Sequence, residues 1–248
     1  MAADWNASAY DRVADPQFRW GLEVLERLPL RGDETVLDAG CGSGRVTEVL
    51  AERLPEGRVI ALDMSSAMID QALARLARFG SRVDFVVGDL LDPLAIPTVD
   101  AILSTATFHW VLDHDRLFAN LAGVLRPGGM LVAQCGGAGN VAGLEAVLAE
   151  LAPNARRVHR FESAEATTER LARAGFEEIQ TWLSDEPTRF DPGAPFESFL
   201  ETVCLRQVLP ELAPEERAGF VRTVAERLGE PVLDYVRLNI VARRAAAA

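Results

Sequence analysis

Short apolar runs alternate along the chain with longer stretches whose apolar residues recur every three to four positions. The short runs read as strands. The first ends at Asp38, and Arg58 to Leu62, Val83 to Val87, Val99 to Leu103, Met130 to Gln134 and Phe176 to Leu183 follow, with a last strand at about Tyr235 to Ala242. Helical spacing marks Gly21 to Leu28, a segment opening at about Arg45, and Leu144 to Leu151. It marks three more stretches: Ala164 to Ala174 (stopped by Gly175), Phe196 to Leu209 and Pro214 to Leu228. Strand and helix alternate from residue 35 to 136, which predicts parallel βαβ units with right-handed crossovers. Asp185 to Pro195, rich in proline and charge, reads as a loop. One α/β domain over residues 1–248 is expected. A cap segment spans 1–32, the core 33–184, a helical insertion or lid 185–231, and the last strand 232–244.

The first strand carries the chemistry. Val36-Leu37-Asp38-Ala39-Gly40-Cys41-Gly42-Ser43-Gly44 is an apolar run that ends in an acid and then places glycine at alternate positions. Such a loop takes turns that other residues resist and lets a ligand lie against the main chain. The helix that follows offers free N–H groups and a partial positive charge. This is the pattern of a nucleotide-type cofactor site. No G-K-[ST] follows, so a phosphate loop does not fit; Arg45 stands where a dinucleotide fingerprint has its third glycine, which counts against a dehydrogenase-type nucleotide binder but leaves it open. Asp63 ends the second strand about twenty residues on, where an acid reaches a ribose diol. Gly88-Asp89-Leu90 follows the third strand, and Leu125-Arg126-Pro127-Gly128-Gly129 turns into the fifth.

In that order and spacing, residues 34 to 136 resemble the class I S-adenosylmethionine-dependent methyltransferases. The resemblance implies a Rossmann-like seven-stranded sheet of order 3-2-1-4-5-7-6, strand seven antiparallel, with helices on both faces. It implies S-adenosylmethionine as cofactor, held by Asp38, Gly40, Cys41, Gly42, Gly44, Asp63, Met64, Gly88, Asp89, Leu90 and Ser104. Asp63 is expected on the ribose and Asp89 on the adenine amino group.

The fourth strand runs into Ser104-Thr105-Ala106-Thr107-Phe108-His109-Trp110-Val111, and ligands of open α/β sheets bind outside the carboxyl ends of strands. With Asp4-Trp5-Asn6 and Tyr10, this segment looks like the trans-aconitate methyltransferases, which have glutamine in the place of His109. Gln17, Tyr10, His109 and Trp110 also match enzymes that methylate farnesoic and juvenile hormone acids. Both groups make methyl esters. His109, Gln17 and Tyr10 are thus the candidate catalytic residues; Trp5, Trp110, Phe199 and Val203 are candidates for the acceptor site.

Two roles stay open for His109: a donor that orients a carboxylate, or a base toward a phenol, enol or carbon acid. A core histidine and a cofactor binder without catalysis are the bland alternatives. The Phe196–Leu209 face either packs on the sheet or lines a pocket for an apolar acid. His114 and His159 read as surface residues, and Arg156, Arg157 and Arg160 as a solvated face.

Composition narrows the partners. A net charge of −12 argues against a nucleic-acid substrate, so a small-molecule methyl acceptor is expected. No apolar run approaches the roughly 18 residues of a membrane span, and no signal segment opens the chain. Cys41, Cys135 and Cys204 lie far apart, which suggests neither a disulfide framework nor a zinc cluster. A reducing cytoplasm, no metal, and a monomer or homodimer are the resulting expectations.

Overall fold

The computed structural model describes residues 15–155 and 158–246. The chain enters through α1 (Asp15–Leu25), β1 (Thr35–Ala39), α2 (Arg45–Glu52), β2 (Arg58–Asp63), α3 (Ser66–Leu76) and β3 (Val83–Val87). It continues with β4 (Val99–Thr105), α4 (His114–Val124), β5 (Leu125–Gly136), α5 (Ala142–Leu151), α6 (Ala164–Arg173) and β6 (Phe176–Asp185). The last part holds β7 (Thr188–Arg189), α7 (Ala194–Phe199), α8 (Pro214–Leu228), β8 (Val232–Leu233) and β9 (Val236–Arg244).

Seven strands form one sheet in the order β3-β2-β1-β4-β5-β9-β6. The pairs from β3 through β5 are parallel, and β9 runs antiparallel to both β5 and β6. This is the expected Rossmann-like order, with the last long strand inserted between the fifth and sixth. Both faces of the central strands are covered, which is why they read as continuous apolar runs. Successive residues point to opposite faces. Val36, Val59, Ala61, Ala101, Leu103 and Val132 pack beneath α1, α2 and α3. Leu37, Ile60, Leu62, Ile102, Leu131 and Ala133 pack against α4 and α6.

A third apolar cluster joins Trp20 of α1 to the segment between β6 and β9. Here the structure corrects the expected helix over Phe196 to Leu209. The helix α7 ends at Phe199 and passes into a π-turn at Leu200–Cys204, where the Leu205 N–H donates to the Leu200 carbonyl at 2.8 Å. The wider turn sinks Leu200 and Leu205 fully into the core. The chain then makes a short 3-10 turn at Leu209–Glu211. The expected loop at Asp185 to Pro195 contains β7, which pairs with β8 beside the main sheet. The turn before the fifth strand lies inside β5, where the register against β4 shifts between Val99 and Ala101.

Candidate active site

The carboxyl ends of β1, β2 and β3 carry the three acids. Asp38 is buried at the end of β1 and takes a hydrogen bond from the Thr47 hydroxyl of α2 at 2.7 Å. Burial pushes its carboxyl up to about 7; the Thr47 bond works against that, and the charge of Asp63 adds to it. Asp63 holds the loop from outside. Its Oδ2 accepts the Gly42 N–H and its Oδ1 the Ser65 N–H, both at 2.9 Å. Asp89 accepts the Leu91 N–H at 2.8 Å and so shapes the turn after β3.

The three loop glycines differ in what they do. All have positive φ. A Cβ at Gly40 would strike the Thr107 side chain, and one at Gly44 would press on Leu76 and Ala72 of α3. A Cβ at Gly42 would meet nothing within 4 Å. Gly40, Cys41, Gly42, Arg45 and Val46 line an open cleft over this loop. Gln17 and Ala106 line that cleft and also the next one. Ala106 closes the junction in a left-handed conformation (φ 55°), pinned by its N–H to the Gln134 carbonyl at 2.8 Å.

The second cleft holds about 620 Å³, mouth included, and is walled by Gln17, His109, Trp110, Val203 and Arg237. His109 sits on a short helical turn after β4, and its Nδ1 accepts the Gly136 N–H at 3.3 Å. Nδ1 therefore carries a lone pair, and the neutral ring bears its proton on Nε2. Burial lowers the His109 pKa well below the ordinary histidine value, and the positive charges of Arg237, His159 and His114 push the same way. Trp110 lies 4.8 Å from His109, ring to ring, and His159 stacks on Phe161 at 4.4 Å. His159 Nε2 lies 3.3 Å from a Glu145 carboxylate oxygen. Gln17 Oε1 is buried without a hydrogen-bond partner.

The chain matches the family model described as methyltransferase domain over residues 36–129. It is 32% identical over 266 residues to a trans-aconitate 2-methyltransferase of Methylobacterium radiotolerans, an alignment covering 98% of this chain and 100% of that relative. The chain belongs to the class I S-adenosylmethionine-dependent methyltransferases. A trans-aconitate 2-methyltransferase of Acidovorax ebreus is 29% identical over 262 residues, covering 98% of this chain and 99% of the relative. Among solved structures, Haemonchus contortus phosphoethanolamine N-methyltransferase 2 in complex with S-adenosyl-L-methionine shares the fold. Its TM-score is 0.65 at 21% identity, over 97% of this chain and 57% of that one.

The cofactor of this methyltransferase is S-adenosylmethionine, and the residues present fit it. The open space over Gly42 admits a ligand against the backbone, and Asp63 and Asp89 stand at the strand ends. Met64, beside Asp63, exposes 68% of its surface. Cys41 lines the loop cleft, and Gly88 ties the end of β3 to the Asp63 carbonyl at 3.0 Å.

Other expected site residues of the methyltransferase are placed elsewhere. Ser104 is buried and donates its hydroxyl to the Ala39 carbonyl at 2.6 Å, so it braces β1 to β4 rather than facing the cleft. Leu90 is a core residue, packed in the cluster with Leu37 and Leu62. Phe199 is also core, pressed against Phe190 at 4.3 Å, while Val203 of the π-turn does reach the second cleft. His114 is fully buried, its Nε2 3.0 Å from the Phe108 carbonyl, and His159 lines the second cleft; neither is a free surface residue. Trp5, Tyr10, Asp4, Asn6, Arg156 and Arg157 lie outside the described residues.

Arg237, Glu145 and Phe161 of the second cleft carried no motif. The sign that could have found Arg237 is its place in a strand. Arg237 and Asn239 occupy alternate positions of β9, on the face that β9 turns toward α1. Polar side chains at inward positions of a buried strand ask for a reason. Among the described residues, no three His, Cys, Asp or Glu side chains gather as metal ligands, and no helix is long and apolar enough to cross a membrane.

Proposed function

We propose that the enzyme methylates a carboxylate of a small organic acid, giving a methyl ester. The observation that carries this reading is the hydrogen bond from the Gly136 N–H to His109 Nδ1. A histidine whose one lone pair is taken, and whose protonated form is disfavoured by burial, is a poor base and a good neutral donor. A carboxylate, with a reference pKa of about 4, is already ionised at neutral pH and needs a donor, not a base. When bound, S-adenosylmethionine would supply an electrophilic methyl group to a carboxylate oxygen, and the residues of the cleft would have no proton to move.

The residues then align and dry the reactants. His109 Nε2–H donates to the acceptor carboxylate, and Gln17, between the two clefts, presents its amide to the same oxygen pair. Trp110 and Val203 shield it from water. Gly42, Asp63 and Asp89 hold the cofactor. The names of the full-length relatives point the same way, toward acids of the trans-aconitate kind.

The test is a pH–rate profile of the parent and of His109→Gln on the acid that turns over fastest. A flat rate from pH 6 to 9, with substantial activity kept by His109→Gln, is expected. A loss of roughly 10²–10⁴-fold in His109→Gln, with the parent rate falling only at pH values below the ordinary histidine range, would mark a general base and a hydroxyl or carbon acceptor. Full activity in His109→Ala would leave His109 with a packing role only.

A further inference from the structure

Asn140 brings a side-chain amide into the wall of the second cleft, with only 5% of its surface exposed. The oxygen of that amide fixes its orientation. Oδ1 accepts the Val236 N–H at 3.1 Å, and because a backbone N–H needs an acceptor, the NH2 end faces the other way. Nδ2 has no acceptor among the described residues. Protein does not seal it off either, so it opens on the cleft. An amide donor held in a buried wall without a partner is costly, and a ligand oxygen is the partner it lacks.

A strained turn sets the position of this donor. β5 ends at Gly136, and the Asn140 N–H donates to the Gly137 carbonyl at 3.0 Å just before α5. Val141 follows with φ 49° and ψ 40°, a left-handed conformation that a β-branched residue rarely takes. Its N–H donates to the Asp234 carbonyl at 3.0 Å, and Asp234 Oδ2 accepts the Gly143 N–H at 3.0 Å, so the chain entering β9 clamps the turn. Strain persists where the surroundings over-determine it. Gly136 joins the turn to His109. Its N–H donates to His109 Nδ1 at 3.3 Å, and a Cβ on it would stand 3.0 Å from Asn140 Nδ2. Asn140 Nδ2 and the His109 ring therefore flank one glycine. His109 Nε2, like Asn140 Nδ2, has no acceptor among the described residues.

An ionised carboxylate offers about four lone-pair directions on its two oxygens. One of them must stay open toward the methyl group. His109 Nε2–H, the Gln17 amide and Asn140 Nδ2 match the rest. Gln17 lines both clefts, whereas Asn140 lines only the second, away from the cofactor loop. Asn140 thus belongs on the oxygen that does not attack. That oxygen accepts hydrogen bonds in the acid and again as the carbonyl of the ester, so a neutral donor on it is kept through the transfer. We propose that Asn140 is a specificity-determining residue whose Nδ2 donates to the carboxylate oxygen that becomes the ester carbonyl. Donors facing both oxygens accept an acid and reject its primary amide, whose NH2 would meet a donor. This rests on the carboxylate reading of the same cleft.

Crotonate and cinnamate, each beside its primary amide, are matched probes of two sizes. Calorimetry against the S-adenosylhomocysteine complex at pH 8 reads their binding without turnover. The parent should prefer each acid to its amide by about ten- to hundredfold, the scale of a charge-assisted hydrogen bond. Asn140→Asp keeps the acceptor for the Val236 N–H and turns the donor into an acceptor, so the preference should reverse toward the amide. Asn140→Ala introduces no charge and should lose about tenfold on the acid with little change on the amide. Affinity for S-adenosylhomocysteine, which reads the first cleft, should be the same in both variants as in the parent. A preference for the acid that survives in both variants would overturn the role of Asn140 and leave ester formation standing. A preference that reverses in Asn140→Asp while the parent methylates no acid would overturn ester formation and leave Asn140 as the donor that selects the acid. A parent that binds neither acid would overturn both.

Discussion

Asp38 costs the folded chain stability in a pH-dependent way. Its carboxyl is raised from the usual range to about 7, so between pH 4 and 7 the folded state holds a proton that the unfolded state has released. Its contribution is favourable at low pH and is lost as pH rises through 7. At about 1.4 kcal/mol per pK unit, the full difference approaches about 4 kcal/mol above pH 7. Asp38→Asn keeps an acceptor for Thr47 and removes the charge. Thermal melts should show the variant more stable than the parent at pH 8 and nearly equal to it at pH 4; a difference independent of pH would rule out the buried charge as its cause. Asp63 braces the loop through both carboxylate oxygens, and its proposed second part is to bind the cofactor ribose. Asp63→Ala should weaken S-adenosylhomocysteine at least tenfold by calorimetry, from one or two charge-assisted bonds of about 1.5–3 kcal/mol each. These acids were legible because each ends an apolar run, Asp38 just before the glycine loop and Asp63 about twenty residues after it. Arg237 was not, because its neighbours Trp20, Gln134 and His109 are far away in sequence and meet it only through the sheet.

The glycine loop shows how much an element's sequence tells. Its place after β1, its turn and the helix at Arg45 follow from local chemistry alone. The division of labour among its glycines does not, since it depends on Thr107 and α3 arriving from elsewhere. Gly40→Ala meets both a positive φ and Thr107, so it should lower the melting temperature as well as affinity. Gly42→Ala meets only the positive φ, a cost of about 1 kcal/mol, yet places a methyl group in the cofactor cleft. Melting curves and S-adenosylhomocysteine titrations should therefore separate the two: a folded, weakly binding Gly42→Ala, and a destabilised Gly40→Ala. Equal losses in both would mean that the loop responds as one strained unit. The segment after β6 was the least legible element. Phe196 to Leu209 has helical spacing throughout, but the π-turn is set by packing, with Leu200 and Leu205 drawn into one core and Val203 left for the cleft.

On the scale of the molecule, the two clefts meet at Gln17 and Ala106, and their walls come from α1, the β1 loop, the turn after β4, the π-turn and β9. β9 is a strand of the central sheet, and α1, the β1 loop and the turn after β4 pack with that sheet; the π-turn belongs to the third cluster, beside the sheet. A ligand in the first cleft therefore binds a surface that exists only when the sheet, α1 and the loop are assembled. Such a ligand stabilises the whole fold by mass action, by about 2.7 kcal/mol at a hundredfold excess over its Kd. For a chain of this size each kcal/mol moves the melting temperature by about 2–4 °C, so S-adenosylhomocysteine should raise it by about 5–10 °C. NAD, for which Arg45 replaces the needed third glycine, should leave it unchanged. Asp63→Ala and Gly42→Ala should each shrink the shift at a fixed ligand concentration, because both weaken the same site. A shift of the same size in Asp63→Ala would remove Asp63 from the cofactor site, and a shift with NAD equal to that with S-adenosylhomocysteine would show that the loop does not select its nucleotide.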